Sequence, residues 1–160
     1  MRSWYILASI FAFLVLVLNS PAWAGESEEE QQLIETVKEA WKKLAEKEVS
    51  DGLVGPMGTI NAQSSGGLWM NLERETFETF VKESPDTLKF RPYHINVKFM
   101  GQKKDVAYVA YYLVGNILRA GKDDITNYRT RASNVMEKKD GKWVNSGGHY
   151  SPLFGGSGVE

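Results

Sequence analysis

The side chains able to do chemistry are few, and their positions narrow what chemistry is open. The chain has two histidines, His94 and His149, and no cysteine. An imidazole titrates near neutral pH and serves as a base or as a hydrogen-bond donor. His149 is therefore a candidate general base, a donor to a bound acid, or a structural histidine tying the last strand to a helical layer. His94 falls on the polar side of its segment. A carboxylate in an apolar cavity is the other common base, because desolvation tunes its pKa. The segments 90–99, 106–119, 125–136 and 142–151 carry no Asp or Glu. Glu73 is then the best-placed acid, one turn before Phe77, either as a partner to His149 or as a boundary glutamate with its head in solvent. Arg129 and Arg131 alternate onto one strand face. Facing a cavity, two guanidinium groups bind a carboxylate or phosphate; facing outward, they pair with a neighbouring subunit. Tyr111, Asn134 and Tyr150 add hydroxyl and amide groups, and Trp69 is a ligand contact or a packing residue.

Composition removes several function classes. With 19 basic and 20 acidic side chains in 160 residues, the net charge is −1, which leaves no electrostatic footprint for nucleic acid. The lack of cysteine excludes disulfides, thiolate metal sites and a Cys nucleophile. Two histidines supply little for a metal cage. No nucleophile elbow, phosphate-cradling glycine loop or metal-spaced His/Glu set is present. No metal and no cofactor are expected.

The elements that must position these residues follow from periodicity. Arg2, the uncharged apolar run Ile6–Leu18 and Ala22-Trp23-Ala24 have the order of a secretory signal peptide over 1–24. The run is too short for a membrane span of about 20 residues. The expected location is periplasmic or secreted, with no membrane association after cleavage. The globular domain then covers 25–154, and 155–160 form a flexible tail. Ser27 and Glu30 make a capping box, and Leu33, Ile34, Val37, Ala40, Trp41 and Leu44 recur at the helical period over 26–48. Residues 50–71 are glycine-punctuated, with room for a short strand near Thr59–Ala62. A second amphipathic helix is expected over 72–83, with Leu72, Phe77, Phe80 and Val81 buried. Beyond Ser84-Pro85 the pattern turns to strands. Val106 to Leu118 is apolar on both faces, so both faces need cover: helices on one side, a second sheet or a second subunit on the other. Asp140-Gly141 marks a hairpin. Trp143 beside it is expected in the core.

Along these strands Met100-Gly101 precedes Ala107-x-Val109-Ala110-Tyr111. Arg131-x-Ser133-x-Val135 leads to Asp140-Gly141-Lys142-Trp143 and then His149-x-Ser151. This order resembles the nuclear-transport-factor-2-like superfamily, the cone shared with SnoaL-type cyclases and ketosteroid isomerase. The nearest likeness is to the association domain of calcium/calmodulin-dependent protein kinase II. The resemblance spans about 30–152, with its specific motifs in 93–152; segment 50–71 does not align. Asn134 and Tyr150 stand where the association domain places pocket arginines, so its ligand preferences do not transfer.

The resemblance implies an α+β fold: a cone-like, strongly curved antiparallel sheet with N-terminal helices packed on its concave face. It also implies a pocket inside the cone and self-association through the outer sheet face. The expected function is an exported homo-oligomeric module that binds a small molecule without catalysis, with Arg129, Arg131, Tyr111, Asn134, His149, Tyr150 and Trp69 as ligand contacts. The alternative is a pocket isomerase, dehydratase or cyclase using His149 with Glu73.

Overall fold

The computed structural model describes residues 27–153. The export signal and the tail expected at the two ends lie outside these residues. The first element is helix α1, Glu28–Ala45. Ser27 Oγ accepts a hydrogen bond from the Glu30 backbone N–H at 3.2 Å, and Glu28, Glu29 and Glu30 occupy the first turn. The cap satisfies an orphan amide and the acids favour the positive helix end. The buried side of α1 is Leu33, Ile34, Val37, Ala40, Trp41 and Leu44, the set marked by its period.

Strands β1 (Thr59–Ala62) and β2 (Met70–Leu72) follow, then helix α2 (Arg74–Glu83). Four long strands complete the chain: β3 (Thr87–Met100), β4 (Val106–Leu118), β5 (Ile125–Lys139) and β6 (Lys142–Pro152). They form one open six-stranded sheet in the order β2-β1-β6-β5-β4-β3. The architecture is α+β as expected, but the sheet is mixed rather than wholly antiparallel, because β1 lies parallel to β6. A parallel partner needs a long crossover, and residues between β1 and β6 include all the other strands. The second helix also differs from expectation. Only Val81 is fully buried on it, and Phe80 is 61% exposed.

The sheet is bent by irregularities. Pairing shifts register between Tyr93 and Asn96, between Gly115 and Ile117, and between Val135 and Met136. Each bulge adds local twist and curls the sheet around what packs on it. At Gly115 a Cβ would lie 1.9 Å from the Lys89 carbonyl oxygen, so only glycine lets β3 and β4 approach this closely at the bend. Asp140 and Gly141, both with positive φ, make the tight β5–β6 turn.

Strand alternation divides the sheet residues into two sets. Ala107, Val109, Tyr111 and Leu113 of β4, with Ala132 and Met136 of β5 and Trp143 of β6, are buried together with the apolar side of α1. The opposite set on β4 includes Tyr108 and Tyr112, 42% and 44% exposed. Of the two covers expected for β4, the described residues supply one.

The irregular stretch between α1 and β1 is fastened rather than loose. Asn145 is fully buried; its side chain donates to the Leu53 carbonyl at 2.7 Å. Its backbone N–H donates to the Asp51 carbonyl and its carbonyl accepts from the Gly55 N–H. Arg74 at the start of α2 donates to the Val49 carbonyl at 2.6 Å, the Val54 carbonyl at 2.6 Å and Asp51 Oδ1 at 2.8 Å, and its Nε to Glu78.

Candidate functional site

A cavity of about 240 Å³ lies between the inner sheet face and the helices. Its sheet wall comes from Phe90 of β3, Leu113 and Ile117 of β4, Tyr128 and Thr130 of β5, Tyr150 of β6 and Asn61 of β1. Trp41 and Leu44 of α1, Phe77 and Phe80 of α2, and the Gln63–Ser65 loop close the other side. The aromatic rings pack edge-on: Trp41 meets Phe90 and Tyr150, each at 5.9 Å between ring centroids, a geometry that suits the ring quadrupoles. None of the residues around this cavity is Asp, Glu, Lys, Arg or His.

Behind the apolar walls runs a polar chain. Trp41 Nε1–H donates to the Tyr111 hydroxyl at 2.9 Å, which donates to Asn134 Oδ1 at 2.8 Å. Asn134 Nδ2 donates to the Tyr150 hydroxyl at 3.2 Å and to the Gly147 carbonyl at 3.5 Å. Burial pushes the Tyr111 hydroxyl well above the usual phenol range, and the Tyr150 beside it acts in the same direction. Burial also raises Tyr150, while the Asn134 hydrogen bond and the neighbouring Tyr111 hydroxyl pull the other way. Both phenols therefore stay neutral at physiological pH.

One polar group at this end has no partner among the described residues. Asn61 is 5% exposed, and its Oδ1 makes no hydrogen bond among the described residues. It sits against Gly148: a Cβ there would lie 2.6 Å from Asn61 Oδ1 and 2.7 Å from Asn134 Nδ2. Gly148 thus keeps open the space where the two amides and Tyr150 converge. On the mouth side Ser64 Oγ and the Tyr128 hydroxyl are hydrogen-bonded to each other.

The residues expected to touch a ligand divide between two faces. Tyr111, Asn134 and Tyr150 are inside, with Tyr150 on the cavity wall and the other two behind it. Arg131 and His149 are outside. They line a groove of about 450 Å³ on the outer sheet face with His94, Tyr108, Tyr112 and Ser133. Arg129 is exposed on the same side as Arg131, its Nε donating to Asn127 Oδ1 at 2.9 Å. The arginines thus lie away from the cavity. Trp69 is 64% exposed and leans on His149, 5.7 Å between centroids, far less packed than a core tryptophan. Trp143, by contrast, is 2% exposed as expected.

The expected pairing of His149 with Glu73 around one small molecule is not formed. Glu73 is the exposed N-cap of α2 and makes no capping hydrogen bond with its side chain. It lines neither the cavity nor the outer groove. Asn61 and Phe90, prominent in the cavity, carry no sequence signal that marks them as site residues. Phe90 lies upstream of the alternating stretch 93–99, and Asn61 sits in a four-residue strand. Among the described residues no group of three or more His, Cys, Asp or Glu could hold a metal ion. A roomier hollow beside α1, near 620 Å³, is a charged surface depression whose Arg74 is already engaged.

No protein-family model and no curated protein matches the sequence. Solved structures do match in shape. A protein from Exiguobacterium sibiricum described as a candidate calcium/calmodulin-dependent kinase II association domain is 16% identical. The match covers 81% of this chain and 97% of that one, with a TM-score of 0.61. The hub homology domain of the same kinase from Chlamydomonas reinhardtii is 15% identical, covering 78% and 98%, TM-score 0.59. A nuclear-transport-factor-2-like protein from Prochlorococcus is 14% identical, covering 81% and 94%, TM-score 0.57. The bent open sheet wrapped around an N-terminal helix, together with these likenesses, shows that the chain has the nuclear-transport-factor-2-like fold.

Proposed function

We propose that this protein is an exported, self-associating module that binds a small uncharged molecule in its inner cavity and does not transform it. The observation that carries the reading is the cavity lining: aromatic and aliphatic walls, hydroxyl and amide groups at the ends, and no ionisable acid, base or cation. An anion there would lose its hydration with no charged partner, a cost that pairing normally offsets. A neutral, largely apolar molecule loses little and gains the burial of its surface. Isomerase, dehydratase or cyclase chemistry asks for a base within reach of the substrate, and His149, the best-placed imidazole by sequence, faces the other side of the sheet. Export rests on Arg2, the apolar run Ile6–Leu18 and Ala22-Trp23-Ala24. Among the described residues no helix is long and apolar enough to cross a membrane. Self-association rests on the outer-face tyrosines and on likeness to proteins named as association and hub domains.

Calorimetric titration of the purified protein with neutral bicyclic aromatics tests the reading. Saturable binding is expected, and it is expected to vanish in Leu72→Trp, where a half-exposed wall residue is enlarged to fill the space. Binding that survives the filled cavity, or no binding at all, overturns the assignment.

A further inference from the structure

We propose that the molecule bound in the inner cavity carries a hydroxyl group, held between the Asn61 carboxamide and the Tyr150 hydroxyl, with its flat apolar body against Trp41 and Phe90. This rests on the cavity being a ligand site and adds the chemistry that the ligand must present.

Asn61 is the one cavity-lining side chain whose buried oxygen has no donor within the described residues. A buried acceptor left without a donor costs roughly 1–3 kcal/mol, and native structures rarely keep one. The neighbouring groups do not relieve it. Asn134 spends its oxygen on Tyr111 and its nitrogen on Tyr150 and the Gly147 carbonyl. Tyr150 receives that amide hydrogen on its oxygen, and no hydrogen bond among the described residues takes its own hydroxyl hydrogen. The polar end thus offers one unfilled acceptor, Asn61 Oδ1, and the Tyr150 hydroxyl as a donor, both on residues that line the cavity. A hydroxyl group fills both at once, donating to Asn61 Oδ1 and accepting from Tyr150. A carboxylate has no proton to give, and an aprotic hydrocarbon leaves both groups unpaired.

The rule that a site built to pair a hydroxyl rejects the analogue lacking it makes this measurable. Three probes small enough for the cavity are titrated calorimetrically at neutral pH: 2-naphthol, 2-methylnaphthalene and 2-naphthoate. The wild-type protein is expected to bind 2-naphthol at least about tenfold tighter than 2-methylnaphthalene, the ratio set by one satisfied buried hydrogen bond, and 2-naphthoate weakest. Asn61→Leu is expected to bring the first two probes to equal affinity while 2-methylnaphthalene still binds. Tyr150→Phe keeps the ring, removes only the hydroxyl, and is expected to shrink the same ratio should the Asn61 variant fold poorly. Equal affinity for 2-naphthol and 2-methylnaphthalene in the wild type overturns the hydroxyl assignment and leaves the cavity reading intact. So does a preference unchanged in both variants. Failure of all three probes to bind overturns the cavity reading itself.

Discussion

At the scale of single residues, Tyr111 joins the helix to the sheet. Its hydroxyl takes the Trp41 indole hydrogen from α1 and gives its own to Asn134 on β5, all within the interior. Tyr111→Phe keeps the ring but strands a buried N–H and a buried carbonyl oxygen. Each loses its partner at roughly 1–3 kcal/mol, so the variant is expected to lose about 2–4 kcal/mol in urea unfolding. The same residue sets an alkaline limit. Burial holds Tyr111 and Tyr150 in the protonated form to pH values above the ordinary phenol value of 10.0. In the unfolded chain both ionise at that ordinary value. Between it and their raised native values the folded protein binds more protons than the unfolded one, so stability falls as pH rises. Below the ordinary value this contribution is fully present. Urea midpoints followed from pH 9 to 11 are expected to fall more steeply for the wild type than for the Tyr111→Phe, Tyr150→Phe double variant. Parallel slopes would show that these two phenols do not govern the alkaline loss.

At the scale of elements, Arg74 is the join between the irregular segment 49–54 and α2. Its hydrogen bonds reach two backbone carbonyls and Asp51. Burial opposes the charge on its guanidinium, but the hydrogen bonds and attraction of Glu78 and Asp51 outweigh this and raise its pKa. The geometry uses the planar fork, which an ammonium cannot reproduce. Arg74→Lys is therefore expected to raise amide hydrogen exchange across 49–55 at least about tenfold, with α1 unchanged. Exchange rising equally everywhere would mean that the residue supports the whole fold. This join was not legible in the sequence, because nothing local to Arg74 announces a partner more than 20 positions earlier. Local signals did reveal much else. The period of α1 marks its buried face, and Asp140-Gly141 marks the last hairpin. Strand β2 is three residues long and exposed, too short for any period. The parallel pairing of β1 with β6 joins segments separated by most of the fold. For the site, alternation carried information that a list of polar residues discards. His149 and Tyr150 are adjacent on β6, so they face opposite ways; Arg131 and Asn134 differ in parity on β5. Those pairs cannot share one cavity. Which member faces inward depends on which side α1 covers, a tertiary fact.

At the scale of the whole molecule, the outer face of the sheet lacks, among the described residues, the cover that the inner face receives. Tyr93 of β3, Tyr108 and Tyr112 of β4 and Val135 of β5 stand on it, 37–46% exposed. They are not scattered. Tyr112 pairs across strands with Tyr93 on one side and Arg131 on the other, and Tyr108 pairs with Val135. A contiguous aromatic and aliphatic surface on a regular sheet is the kind of patch that marks association. Two copies related by a two-fold axis can lay it face to face, each residue then meeting the same surface of its partner. Tyrosine suits such a surface, offering apolar area and a hydroxyl that tolerates water at the rim. On β4 this face carries no charge from Val106 to Val114, while Lys98 and Arg131 flank it across from Tyr108 and Tyr112. Sedimentation equilibrium is expected to show a dimer or larger assembly at micromolar concentration. The double variant Tyr112→Glu, Val135→Glu places two desolvated carboxylates in each copy of the interface and is expected to weaken assembly at least about a hundredfold. Because the cavity opens on the other side of the sheet, its affinity for 2-naphthol should change less than about twofold. Wild-type protein that stays monomeric at high concentration would sink the interface. Loss of naphthol binding together with assembly would instead place part of the ligand site across two subunits.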